Sequence, residues 1–138
     1  MEKLEHIGIA VKNLDESNQL FAKLFGKSHY KIEEVASEGV RTSFFEIGGV
    51  KIELLEATNA ESPIAKFIDR RGEGIHHLAF EVNDIDDSIK SYSEKGFTLL
   101  NQQAKDGADN KKIVFMHPKT TNGVLMELCQ EKNKSIHK

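Results

Sequence analysis

The chain has a single cysteine, Cys129, among its 138 residues. One thiol rules out an intramolecular disulfide framework and fits a reducing compartment. A dominant charge is also missing. Nineteen Lys and Arg stand against 22 Asp and Glu, for a net charge of −3. No Lys/Arg block stands out, which argues against nucleic acid and against an anionic membrane as partners. No apolar run is long enough to span a membrane. The opening MEKLEHIGIAV mixes acid and base and moves straight into a strand pattern, unlike a signal peptide. These absences set the expectation of a cytoplasmic protein with a core large enough to need no staples, folded as one domain over residues 1–138.

What the chain does have is a repeat. LEHIGIAV (Leu4 to Val11) and VKIELLE (Val50 to Glu56) bracket a first module. IHHLAFEV (Ile75 to Val82) and VLMELCQ (Val124 to Gln130) bracket a second. His77 follows His6 at a spacing of 71 residues, and Glu127 follows Glu53 at 74, a difference that one short loop absorbs. Two histidines and two glutamates at repeated positions make a ligand set for a divalent metal. Strand histidines with ordinary hydrogen bonds and solvent-facing carboxylates are the bland alternatives, and the matched recurrence of all four argues against both.

The grammar between these strands also repeats. In module one, about 4–56, a strand over 4–11 leads to Asn13, placed three residues before Glu16 as in a capping box. Phe21, Leu24 and Phe25 give the helix an apolar face, and Gly26 stops it. Strands follow near 29–36, 40–47 and 50–56, with Gly48-Gly49 turning the last pair. Ser62-Pro63 has the cap-then-proline signature of a linker helix, about 62–71. In module two, about 75–130, Asp84 and Asp87 repeat the cap, Gly96 ends the helix, and strands are expected near 97–101, 112–117 and 124–130. Alternation puts His6 with Gly8 and Ala10, and His77 with Ala79. The bulkier neighbours go to the opposite, helix-covered face. Residues beyond Gln130 read as a polar, lysine-rich tail.

With these residues in place, the chain resembles the vicinal oxygen chelate (glyoxalase/bleomycin resistance/dioxygenase) superfamily. Within it, the resemblance is to the methylmalonyl-CoA epimerase family. The HIGIAV and HHLAFEV strands carry the general likeness. ESPIAKF (Glu61 to Phe67), FMHPK (Phe115 to Lys119) and GVLMEL (Gly123 to Leu128) carry the specific one. The resemblance implies an α+β fold of two tandem βαβββ modules forming an open, cup-like β-sheet barrel around one metal, in a homodimer. It implies His6, Glu53, His77 and Glu127 as ligands of a divalent ion: Co²⁺, Mn²⁺, Zn²⁺ or Ni²⁺. It implies an acyl-CoA substrate whose 2R and 2S forms interconvert through proton abstraction at carbon 2 and a metal-stabilised enolate. One position departs from the family. Several epimerases carry a glutamate after a GVx segment, and here Gly39-Val40-Arg41 is followed by Thr42, which cannot act as a carboxylate base.

Glu127 is the first choice of acid/base, Glu53 the second, and Glu46 a weaker alternative on the strand parity of Thr42. His117, Lys119 and Thr42 are candidates for substrate contact, against the plain reading of a polar turn. His76, of opposite parity to His77, reads as structural, and Cys129 as a buried, inert thiol. Arg70, Arg71, Lys111 and Lys112 read as solvated charges rather than CoA contacts. Two other functions use the same fold. One is a glyoxalase I-like lyase or isomerase acting on a thiol hemithioacetal. The other is a metal-free ligand-binding resistance protein, which the intact ligand quartet disfavours.

Overall fold

The structure, a computed structural model, describes residues 1–132; the tail from 133 onward lies outside the described residues. Eight strands and three helices are present among them, in the order β1 (Lys3–Ala10), α1 (Leu14–Phe25), β2 (Lys31–Val35), β3 (Val40–Ile47), β4 (Val50–Ala57), α2 (Pro63–Arg71), β5 (Gly74–Glu81), α3 (Ile85–Glu94), β6 (Lys105–Asp106), β7 (Lys111–Met116) and β8 (Met126–Glu131). The chain divides into two compact units, His6–His76 and a second built from His77 onward together with Met1–Glu5. Among the described residues, no helix is long and apolar enough to cross a membrane.

In the unit His6–His76 the strands run in the order β2-β3-β4-β1. β1 and β4 are parallel, with Gly8 beside Glu53, while β3 and β4 are antiparallel, with Phe44 beside Glu53. Local sequence sets the ends of α1. The Asn13 side chain accepts from the Glu16 amide at 2.9 Å, and Gly26 closes the helix in the left-handed region at φ 75°. The Leu14 amide donates to Glu56 at the end of β4, so the helix start is tied to the last strand of its own unit. Leu14 packs with Val11, Phe45 and Leu54 on one sheet face, joined by Phe21 and Phe25. α2, capped by Ser62 with Pro63 in its first turn, lays Ile64 against Ala10, Val40 and Leu55 on the opposite face.

The second unit has the order β5-β8-β7-β6 and repeats these devices. Asp84 caps α3 through the Asp87 amide at 3.1 Å, and the Ile85 amide donates to Gln130 of β8 at 2.7 Å. Ile85 and Ile89 pack on Val82, Val114, Met116 and Leu128. The helix ends at Lys95, still in a right-handed conformation, with Gly96 following at φ 101°. The strand expected near 97–101 does not form. Leu99 makes one isolated bridge to Met116, and the outer strand is the two-residue β6. The Leu100 amide donates to the Phe115 carbonyl at 2.8 Å and the His117 amide to the Thr98 carbonyl at 2.7 Å, a pairing too short to register as a strand, while Phe97 and Leu99 pack onto the α3 core.

Candidate metal centre

Each unit brings one histidine and one glutamate together. In the first, His6 Nδ1 lies 3.3 Å from Glu53 Oε2. In the second, His77 Nε2 lies 3.1 Å from Glu127 Oε1. All four side chains are buried, between 3% and 6% exposed. The register explains the pairing. His6 and Glu53 come from the parallel strands β1 and β4, on the face shared by Gly8, whose missing side chain leaves room beside Glu53. His77 and Glu127 come from the parallel strands β5 and β8, where Ala79 sits beside Glu127.

Small neighbours are half of the arrangement. Across the antiparallel partner strand, each glutamate faces a phenylalanine: Phe44 beside Glu53 and Phe115 beside Glu127. The two phenylalanines recur at the same spacing as the histidines. The His77 ring meets Phe115 edge-on, with centroids 5.5 Å apart. Parity reasoning assigns bulky residues to the helix-covered faces. These two phenylalanines correct it, because they wall each His–Glu pair with an apolar ring and strengthen its electrostatics by excluding water. A lysine from the neighbouring strand lies over each ring: Lys31 Nζ is 4.6 Å from the Phe44 centroid, and Lys105 Nζ is 6.0 Å from that of Phe115.

The other candidates have other places. Thr42 is 1% exposed on β3, across from Glu33 on β2 and Leu55 on β4. Glu46 is committed to a turn: its carboxylate accepts from the Gly49 amide at 2.5 Å and lies 3.8 Å from Lys27 Nζ. His117 Nδ1 accepts from the Lys119 amide at 3.1 Å, and the Thr120 hydroxyl donates to the His117 carbonyl at 3.0 Å, which makes the HPK segment a tight, internally bonded turn. His76 meets Phe67 edge-on, with ring centroids 4.9 Å apart. Arg71 lies over the same ring at 5.9 Å.

Cys129 is fully buried, its thiol donating to the Phe80 carbonyl at 3.6 Å. Burial, and then the nearby Glu127 and Glu5 carboxylates, push its pKa well above the ordinary thiol range, so it stays a protonated packing group. Lys111 corrects the sequence reading: it is 5% exposed, with Nζ 3.8 Å from the buried Glu5 carboxylate and 3.4 Å from Glu131. Glu5 carries no motif of its own beside His6, although it is buried. The signal for Lys111 was its parity with Ile113 and Phe115.

The donor set suits a divalent metal. Imidazole nitrogens and carboxylate oxygens are the ligands that zinc and its first-row neighbours take. Bonds of about 2.1 Å at a right angle put two donors about 3 Å apart, close to both His–Glu separations.

Comparison with known proteins agrees with this geometry. The family model of the glyoxalase/bleomycin resistance protein/dioxygenase superfamily matches residues 5–115. The mitochondrial methylmalonyl-CoA epimerase of Dictyostelium discoideum is 39% identical over 91% of this chain and 76% of its own length. A hypothetical protein of Bacillus halodurans is 42% identical, with a TM-score of 0.91 over 94% of both chains. A methylmalonyl-CoA epimerase solved with methylmalonyl-CoA and ammonium superposes with a TM-score of 0.91 over 96% of both chains, at 31% identity. This chain belongs to the glyoxalase/bleomycin resistance protein/dioxygenase superfamily and, within it, to the methylmalonyl-CoA epimerase family.

Proposed function

We propose that the protein epimerises methylmalonyl-CoA at carbon 2, with His6, Glu53, His77 and Glu127 holding one divalent metal ion. The observation that carries the reading is the duplicated, buried His–Glu pair, present at equivalent strand positions in a chain whose relatives include methylmalonyl-CoA epimerases.

The chemistry starts from the acid weakness of the carbon-2 proton. Removing it leaves an enolate, and returning it to the other face inverts the centre. His6, Glu53, His77 and Glu127 would hold a divalent ion, which would supply positive charge opposite the negative charge that develops on the enolate oxygen. The four residues orient that ion. Glu127 takes the proton at carbon 2, because a carboxylate walled by Phe115 and paired with His77 sits in dry surroundings that favour transfer over hydration. Glu53, with the same neighbours in the other unit, is the matching group for the opposite stereochemical face. Thr42 supplies no carboxylate, which leaves the second acid/base role with Glu53 rather than with β3.

Proton NMR of methylmalonyl-CoA in D₂O, with the protein and added Co²⁺ or Mn²⁺, tests this reading. The expected result is metal-dependent deuterium incorporation at carbon 2 with interconversion of the 2R and 2S forms. A metal-loaded protein that leaves carbon 2 unexchanged, yet turns over a thiol hemithioacetal, would establish the glyoxalase I-like reaction instead.

A further inference from the structure

The ligand face of the second unit carries a buried cation that the reaction above does not use. Lys111, Ile113 and Phe115 on β7 stand across from Glu131, Cys129 and Glu127 on β8. β5 adds Glu81 across from Cys129. Lys111 therefore shares a face with the ligand glutamate, with Ile113 and Cys129 between them. Its ammonium lies near Glu5 and Glu131, and Glu5 is buried while the Glu131 side chain is 59% exposed.

Burying an ion pair carries a desolvation cost that an apolar pair of similar volume avoids, often with no loss of stability. A charged pair kept at this place, on this face, calls for a role beyond packing. We propose that the Glu5–Lys111 pair sets the charge balance of the ligand face, with Lys111 as a positioning residue that weakens dication binding and favours an anionic acyl group. The inference rests on the reading of His77 and Glu127 as metal ligands. Its mechanism is Coulombic. Across the roughly 13 Å that four strand residues span, at an effective dielectric constant of about 40, one unit charge changes the binding constant of a dication about tenfold and that of a carboxylate about threefold. The sign is opposite for a metal cation and for the carboxylate of a malonyl-type thioester.

That opposition supplies the test. Mn²⁺ affinity of the metal-stripped protein is measured by calorimetry, and KM and kcat by carbon-2 exchange of methylmalonyl-CoA. Lys111→Met is expected to bind Mn²⁺ about tenfold more tightly and to raise KM about threefold. Glu5→Gln is expected to shift both constants the other way. Lys111→Arg keeps the charge and stays near wild type. If Lys111→Met does not fold, the step from Glu5→Gln to the double variant removes the same charge without stranding a buried carboxylate, and the same two signs are required. A purely structural pair would instead lower metal and substrate affinity together, in step with the melting temperature, and that result overturns the inference. Failure of the wild-type protein to bind Mn²⁺ brings down the metal reading, and this inference with it. Wild-type binding without opposed shifts overturns the inference alone.

Discussion

At the scale of single residues, Glu127 carries the sharpest expectation. Glu127→Gln keeps the volume and one ligating oxygen but removes the basic carboxylate. A positioned base contributes about 10²–10⁴-fold in rate, so carbon-2 exchange is expected to fall by that factor while bound metal, measured by elemental analysis, is retained. Glu127→Ala is expected to lose metal as well, since it takes a donor from the pair with His77. Near-wild-type exchange by metal-loaded Glu127→Gln would remove Glu127 from its role. The two buried His–Glu pairs were legible in the sequence because the duplication displays each residue type twice, at spacings of 71 and 74 residues and with the same strand parity. Lys111 and Glu5 were not, because neither appears twice. Lysine is among the residues least often buried, and that prior outweighed a parity that put Lys111 with Phe115.

At the scale of elements, helix starts were legible where the signal is local. Asn13, Ser62 and Asp84 each accept from an amide two or three residues ahead, a geometry set by a few adjacent residues. The expected strand at 97–101 failed for the complementary reason. Whether an apolar segment becomes a strand depends on how far it can follow a partner's edge, and 97–101 meets β7 only through the Leu99–Met116 bridge and the backbone bonds of Leu100 to Phe115 and His117 to Thr98. The contacts of Leu14 with Glu56 and Ile85 with Gln130 were likewise invisible, since each joins residues more than 40 positions apart. Ser62 allows a direct test of the local account. It is 2% exposed and its hydroxyl accepts from the Ile64 amide at 3.1 Å. Ser62→Ala is expected to cost about 1 kcal/mol in urea unfolding. An unchanged midpoint would mean that Pro63 and the burial of Ile64 hold the start of α2 without the cap.

At the scale of the whole molecule, the duplication makes a statement about metal that neither unit makes alone. Each unit contains two donors, and two donors seldom hold a divalent ion firmly against water. A full complement of four is reached only if both units serve one ion. The alternative is two weak sites, one per unit, and the two cases differ in their linkage to stability. A metal bound only by the folded chain, at 100 times its dissociation constant, stabilises by about 2.7 kcal/mol. For a chain of this length that corresponds to a melting shift on the order of 10 °C. Chelation is therefore expected to lower the melting temperature by that amount, and restored Co²⁺ or Mn²⁺ to recover it with one ion per chain. His6→Ala damages only the first unit's pair and His77→Ala only the second's. With one shared ion, either substitution abolishes nearly all of the metal-dependent shift. With separate sites, each variant retains roughly half of the bound metal, and the proposal of a single centre fails.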